Sequence, residues 1–179
     1  TSLIELLTPE EIQAVIAHEL GHLKCEHGVY LTLANLLVLA AGQLSPWGAV
    51  LTQGLQAQIL EWLRCAEFTC DRAALLATQD PRTVMSVLMK LSGGSPSLAS
   101  KLNLDAFLAQ AKAYDEMSKD ELGELLKQAQ SSQLTHPLPV LRVREIDRWS
   151  SSSDYQDLLK GNLRVYNNEV TQKGGWRNW

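Results

Sequence analysis

The sequence predicts a mainly α protein with little or no β-sheet. Three observations carry that expectation: apolar residues recur at helical spacing, helix-start signatures stand at Thr8, Asp80 and Ser118, and almost no stretch alternates with the period of a strand. At 179 residues, 45% of them hydrophobic, the chain can bury the core of one or at most two ordinary domains.

The elements follow in order. Thr8-Pro9-Glu10-Glu11 combines an N-cap, a proline at the first helical position and a glutamate placed for a capping box. Ile12, Val15, Ile16, Leu20 and Leu23 continue the helix, which is expected to end near Gly28. The pentapeptide HELGH, His18 to His22, lies inside it. From Gly28 to Leu60 no residue is charged. This run breaks at Ser45-Pro46 into two arms, each shorter than the roughly 20 residues a bilayer crossing needs, and Asn35, Gln43, Gln53, Gln56 and Gln58 dilute it. It reads as a helical hairpin buried in the core or in a subunit contact, with a membrane-dipping hairpin as the alternative. The second arm continues through "RCAEFTCDRAALLA" as one long helix to about Gln79. Asp80-Pro81 starts another helix, Gly93 to Pro96 is a loop, and helices are expected at Leu104–Tyr114 and, from the Ser118/Glu121 capping box, to about Ser131. "LTHPLP" is extended by its prolines, a helix with Arg142 and Ile146 follows, and a polar linker at Ser150–Ser153 leads to a brief helix and a tail.

Composition narrows the function. Sixteen basic residues against twenty acidic ones give a net charge of −4, with no basic stripe to neutralise phosphates, so nucleic acid is not an expected partner. Cys25, Cys65 and Cys70 form neither a CxxC pair nor an even set, which points to a reducing compartment, cytoplasmic or inside an organelle. No basic segment precedes an apolar run at the start, so no signal peptide is expected and an excised domain is the natural reading.

The chemistry concentrates in HELGH. Histidines at i and i+4 project from one face of a helix and can converge on one Zn²⁺, while Glu19 beside the first is spaced to act as a general base on water. A histidine pair on a helix is also common on surfaces and in satisfied cores. The metzincin pattern is excluded because Cys25 and Gly28 stand where its glycine and third histidine would be. His27, five residues after His22 along a continuing helix, is expected not to be a ligand. Glu67 is the better third ligand, and Asp71, one turn on, can orient a ligand imidazole. Taken alone, both would more often belong to a solvated helical face. HExxH followed by ExxxD is the gluzincin arrangement.

The blocks "LTPEEIQAVIAHELGHLKCEHG", "RCAEFTCDRAALLA" and "THPLPVLRVREI" together resemble metallopeptidase family forty-eight, which includes the HtpX-like and CAAX prenyl proteases. The resemblance implies a zincin-like (gluzincin) helical domain over residues 1–149, with 150–179 as linker, short helix and tail. It implies one Zn²⁺ per chain held by His18, His22 and Glu67, with Glu19 as base, Asp71 as structural aspartate and Arg64 matching the family's arginine. It also implies His136 and Arg142 in the cleft as stabilisers of the oxyanion, although Arg142 is alternatively placed to pair with Asp71 or Glu67. The implied function is a zinc-dependent endopeptidase acting on peptide or protein substrates. The competing reading is a zinc-stabilised scaffold, or a module that meets a membrane or another subunit through residues 29–60. The chain departs from the family in three ways: it begins after the upstream segment that supplies a substrate-binding edge strand, its hairpin is short and polar-speckled where relatives have membrane helices, and Cys70, expected as a buried filler, stands where relatives usually have alanine.

Overall fold

The computed structural model describes residues 2–44, 48–117 and 135–161. Their helices are α1 (Ser2–Leu6), α2 (Pro9–Lys24), α3 (His27–Leu44), α4 (Gly48–Thr78), α5 (Pro81–Gly93), α6 (Leu104–Met117), α7 (Pro139–Ser150) and α8 (Ser153–Leu159), with a 3-10 turn at Ala99–Lys101. There is no strand among the described residues, as the missing period-2 pattern predicts. The helix expected over 118–131, the break at Ser45-Pro46 and the C-terminal tail lie outside the described residues.

α2 begins as its sequence dictates. The Glu11 amide donates to Thr8 Oγ1 at 3.3 Å, and the Thr8 amide donates to Glu11 Oε2 at 2.8 Å, closing a capping box with Pro9 inside it. Glu11 does more than cap. Buried against α5, it also accepts from Lys90 Nζ at 2.6 Å and Ser86 Oγ at 2.7 Å, so one carboxylate ties the start of α2 to α5. Burial alone would raise its pKa, but Lys90, Ser86 and the Thr8 amide outweigh burial and hold it below the usual carboxylate range.

α2 ends earlier than expected, at Lys24 rather than near Gly28. The reason is Glu26, which takes a left-handed φ of 55°, starts a new helix at His27 and bends the path by 50° between α2 and α3. No glycine stands at that position, so the sequence carries no sign of the turn. A similar non-glycine turn at Gln79, φ 54°, ends α4, and Asp80 then caps α5 by accepting from the Arg82 amide at 3.0 Å.

The core forms where α5 packs against α2, α4 and α7, around Leu75, Val84, Met85, Leu88, Val143 and Ile146. The uncharged hairpin is not part of it. α3 pairs with the first half of α4, but Leu33, Leu36, Leu37, Leu39, Val50 and Leu51 are exposed. The expected burial in the core of the chain is therefore corrected: the two arms pack on each other, and among the described residues these apolar side chains stay exposed. No single described helix is long and apolar enough to cross a membrane.

Glu11→Ala removes the side-chain half of the capping box and leaves the largely buried Lys90 ammonium without its carboxylate, an outcome expected to cost about 3 kcal/mol of stability. Chemical denaturation of the two proteins measures it; Ser86→Ala, which removes only one neutral donor, is expected to cost about 1 kcal/mol.

Candidate active site

α2 supplies His18, Glu19 and His22, α4 supplies Glu67 and Asp71, and the segment leading into α7 supplies His136, with Arg142 on α7 itself. All line one cleft of about 700 Å³. The two helices can meet this closely because of Gly21. A Cβ there would lie 3.2 Å from Cys70 Sγ and 3.3 Å from Cys70 Cα and Ala73 Cβ, so glycine lets α2 sink onto α4 between its two histidines.

His18 Nε2 and His22 Nε2 are 3.3 Å apart. Glu67 Oε2 is 3.5 Å from the first, and Glu67 Oε1 is 3.3 Å from the second. Zinc bonds near 2.0–2.1 Å imply tetrahedron edges of about 3.3 Å, which these separations match. The donor chemistry, two imidazole nitrogens and one carboxylate, is also that of a three-ligand catalytic zinc site with a fourth position open. Glu67 is 5% exposed, so the surface-carboxylate reading of this residue does not hold.

Behind these three donor atoms lies a charge network. His18 Nδ1 donates to Asp71 Oδ1 at 3.1 Å, which turns Nε2 inward. Arg142 grips the same carboxylate with two bonds, Nε to Oδ2 at 2.7 Å and Nη2 to Oδ1 at 2.6 Å, and its Nη1 is 3.2 Å from Glu67 Oε2. The expected oxyanion role of Arg142 is thus corrected in favour of the alternative pairing: its guanidinium is occupied by Asp71 and Glu67. His136 faces the cleft, 67% exposed, with Nδ1 3.1 Å from Glu67 Oε1. Glu19 is exposed on the cleft wall beside His18. Arg64, one turn before Glu67, is half-buried and lies outside the lining of the cleft.

The electrostatics follow from this packing. Burial disfavours the charged His18 ring, but Asp71 and Glu67 outweigh it and raise the pKa to about 9. Burial pushes Glu67 up, yet the His18 contact and the Arg142 charge pull it down to about 2. For Arg142 burial again opposes the charge, and Asp71 more than restores it.

Two residues sit where the sequence reading did not put them. The bend at Glu26 returns His27 to the site, its Nδ1 3.0 Å from His22 Nδ1, instead of carrying it off along a continuing helix. Cys70 is fully buried, as expected of a filler, but its Sγ is also 3.7 Å from His27 Nδ1. Burial raises its thiol to about 12, with Glu67 adding to the effect. The apolar wall of the cleft, Val15, Leu31, Leu63, Val84, Leu88 and Leu91, was equally unforeseen, because helical periodicity cannot separate core from cleft.

A helical fold that brings an HExxH pair to a buried glutamate on a second helix defines the metallopeptidase class. The chain belongs to peptidase family M48, which matches it over residues 1–150. It is 62% identical over 160 residues to the plastoglobule-localized metallopeptidase 48, chloroplastic, of Arabidopsis thaliana, a match covering 89% of this chain and 46% of that protein. It is also similar to protease HtpX homologs, at 29% identity over 141 residues in Moorella thermoacetica (64% of this chain, 46% of the relative) and 26% over 193 residues in Aeropyrum pernix (83% and 60%). The chain spans about half the length of these curated relatives. No solved structure gives a significant match.

Because His18 holds its proton up to about pH 9 in the metal-free site, zinc uptake at about pH 7.5 is expected to release roughly one proton. Calorimetric titration in two buffers of different ionisation enthalpy measures that release. In the metal-free protein the raised His18 pKa means its stabilising contribution is intact below 6.5 and lost as pH rises through about 9. The depressed Glu67 pKa works the other way, with stability intact above 4.5 and lost as pH falls toward about 2.

Proposed function

We propose that the chain carries the catalytic machinery of a zinc-dependent metalloendopeptidase, with His18, His22 and Glu67 as metal ligands and Glu19 as general base. The supporting observation is the convergence of three donor atoms from two separate helices on one point, at tetrahedral separations, with His18 oriented from behind by Asp71. Bound there, Zn²⁺ supplies Lewis-acid polarisation of the scissile carbonyl and makes water acidic enough to be deprotonated near neutrality.

The chain's own groups do the rest. Glu19, on the cleft wall one residue after His18, takes the proton of the attacking water onto its carboxylate and returns it to the leaving amine. His136 stands at the exposed lip of the cleft, where a ring N–H can donate to the oxygen that becomes negative as the carbonyl is attacked. Asp71 fixes the His18 tautomer, and Arg142 acts as a positioning residue that holds Asp71 and Glu67 in register. The apolar wall favours a substrate with a bulky hydrophobic side chain next to the scissile bond.

A second observation bears on where the reaction happens. The hairpin exposes a continuous set of leucines with no charge from Gly28 to Leu60, and a relative is named as plastoglobule-localized, so the hairpin is read as the face that meets a lipid surface. The scaffold alternative gives Glu19 nothing to do.

Glu19→Gln is expected to keep zinc and lower kcat by at least about a hundredfold, whereas His18→Ala loses both metal and activity. Peptide hydrolysis and bound-metal analysis on the same preparations decide it: a fully active, zinc-loaded Glu19→Gln protein would rule out the base. For the lipid contact, flotation with neutral-lipid droplets or vesicles is the measurement. Leu37→Glu together with Leu39→Glu is expected to leave the protein in the soluble fraction without changing peptide turnover; co-flotation at the original level would sink the lipid reading.

A further inference from the structure

His18 and His22 each present Nε2 to the shared point, so each must keep its proton on Nδ1 to serve as a neutral ligand. Asp71 accepts that proton from His18. The corresponding atom of His22 faces one partner, the Nδ1 of His27 at 3.0 Å. A contact between two ring nitrogens at that distance needs one donor and one acceptor. With His22 Nδ1 as donor, His27 accepts through Nδ1 and carries its own proton on Nε2.

The backbone supplies an independent sign. In an unbroken helix five residues turn about 500°, which would leave His27 about 140° around the axis from His22. Glu26 instead takes φ 55°, a conformation that costs a non-glycine residue on the order of 1 kcal/mol. The turn is closed by hydrogen bonds from the Val29 and Tyr30 amides to the Glu26 carbonyl oxygen, at 3.0 and 3.2 Å. It places His27 at the start of α3, where its ring stands at 90° to Trp62, centroids 5.5 Å apart, with Cys70 Sγ 3.7 Å from its Nδ1. The ring is therefore held on one side by α4 and aimed at His22. The helix break at Glu26, whatever ends α2, is what brings the two imidazoles together.

We propose that His27 is a positioning residue for zinc: it accepts the Nδ1–H of His22, fixes that ring's tautomer and angle, and so completes for the second ligand what Asp71 does for the first. The proposal rests on His22 being a zinc ligand. The neutral acceptor makes this arm weaker than the Asp71 arm, because a charge-assisted bond is about twice as strong as a neutral one. Between the two halves of the HExxH pair, His22 is then the ligand whose hold on the metal is more easily loosened.

The same three side chains, His22, His27 and Cys70, lie close enough to be read as a second metal cluster. That reading requires His22 to give both of its nitrogens to metal at once. The hydrogen-bond reading uses each His22 nitrogen once and leaves the thiol protonated, with the long 3.7 Å Cys70 contact secondary to the 3.0 Å contact from His22.

The test is zinc affinity in the full chain, measured by competition with a chromophoric chelator, together with the thermal unfolding of the metal-free protein. His27→Phe keeps the ring against Trp62 and removes the acceptor. It is expected to weaken zinc binding ten- to a hundredfold with metal-free unfolding unchanged, and His27→Asn, which restores an acceptor oxygen, should recover most of the loss. Nitrogen-15 spectra of the zinc-loaded wild type should show a slowly exchanging His22 Nδ1 proton that His27→Phe abolishes, and this signal decides the matter if the phenylalanine variant does not fold. Wild-type zinc affinity in His27→Phe overturns the proposal, and so does a second bound zinc equivalent that disappears in that variant. A wild-type chain that takes up no zinc overturns the ligand assignment itself, a failure recognisable because no variant is needed to see it.

Discussion

The site depends on how near α2 can come to α4. Two imidazoles on one helix converge with a carboxylate on another where the helices pack closely, and Gly21 lies at that contact, where a Cβ would crowd Cys70 and Ala73 at 3.2–3.3 Å. Glycine inside a helix costs about 1 kcal/mol relative to alanine. Here the glycine stands between the two histidines of HELGH on the face packed against α4. The glycine of HELGH thus belongs to the site as much as the histidines do, though it touches no substrate and carries no proton.

Close approach creates an electrostatic problem that the remaining helices solve. Glu67 and Asp71 are buried one turn apart, and two carboxylates out of water repel each other as well as losing hydration. Arg142 answers both through bonds to each of them, and it can do so only because α7 lies across α4. α7 is in turn held by Val143 and Ile146 in the core and by Arg72 of α4 stacked over Trp149. The hydrophobic core and the polar site are therefore one construction: apolar packing fixes α7, α7 fixes Arg142, and Arg142 holds both carboxylates in place.

Much of this was legible in the sequence because it obeys local rules. The capping box at Thr8 and Glu11, the proline starts at Pro9 and Pro81, and the long helix ending at Thr78 follow from short-range patterns. HELGH and the Glu67/Asp71 pair could be joined before any coordinates because helical spacing makes both into one-turn pairs. What could not be read depends on tertiary geometry. Nothing in Lys24-Cys25-Glu26 announces a left-handed residue, so His27 was expected on the wrong side of the helix. The pairing of Arg142 and the exposure of the hairpin leucines are likewise decided by which helix faces which, and composition is silent about that. The lysine that partners Glu11 lies 79 positions away, beyond any local pattern.

α4 runs for 31 residues without interruption, with the exposed hairpin at its first half and the Glu67/Asp71 pair toward its other end. From Val50 to Glu67 it spans roughly 26 Å at the rise of an α-helix. One continuous helix thus joins two regions of opposite character, an uncharged exposed arm and a buried pair of carboxylates. The exposed arm and the Glu67/Asp71 pair are therefore two ends of one unbroken hydrogen-bonded backbone.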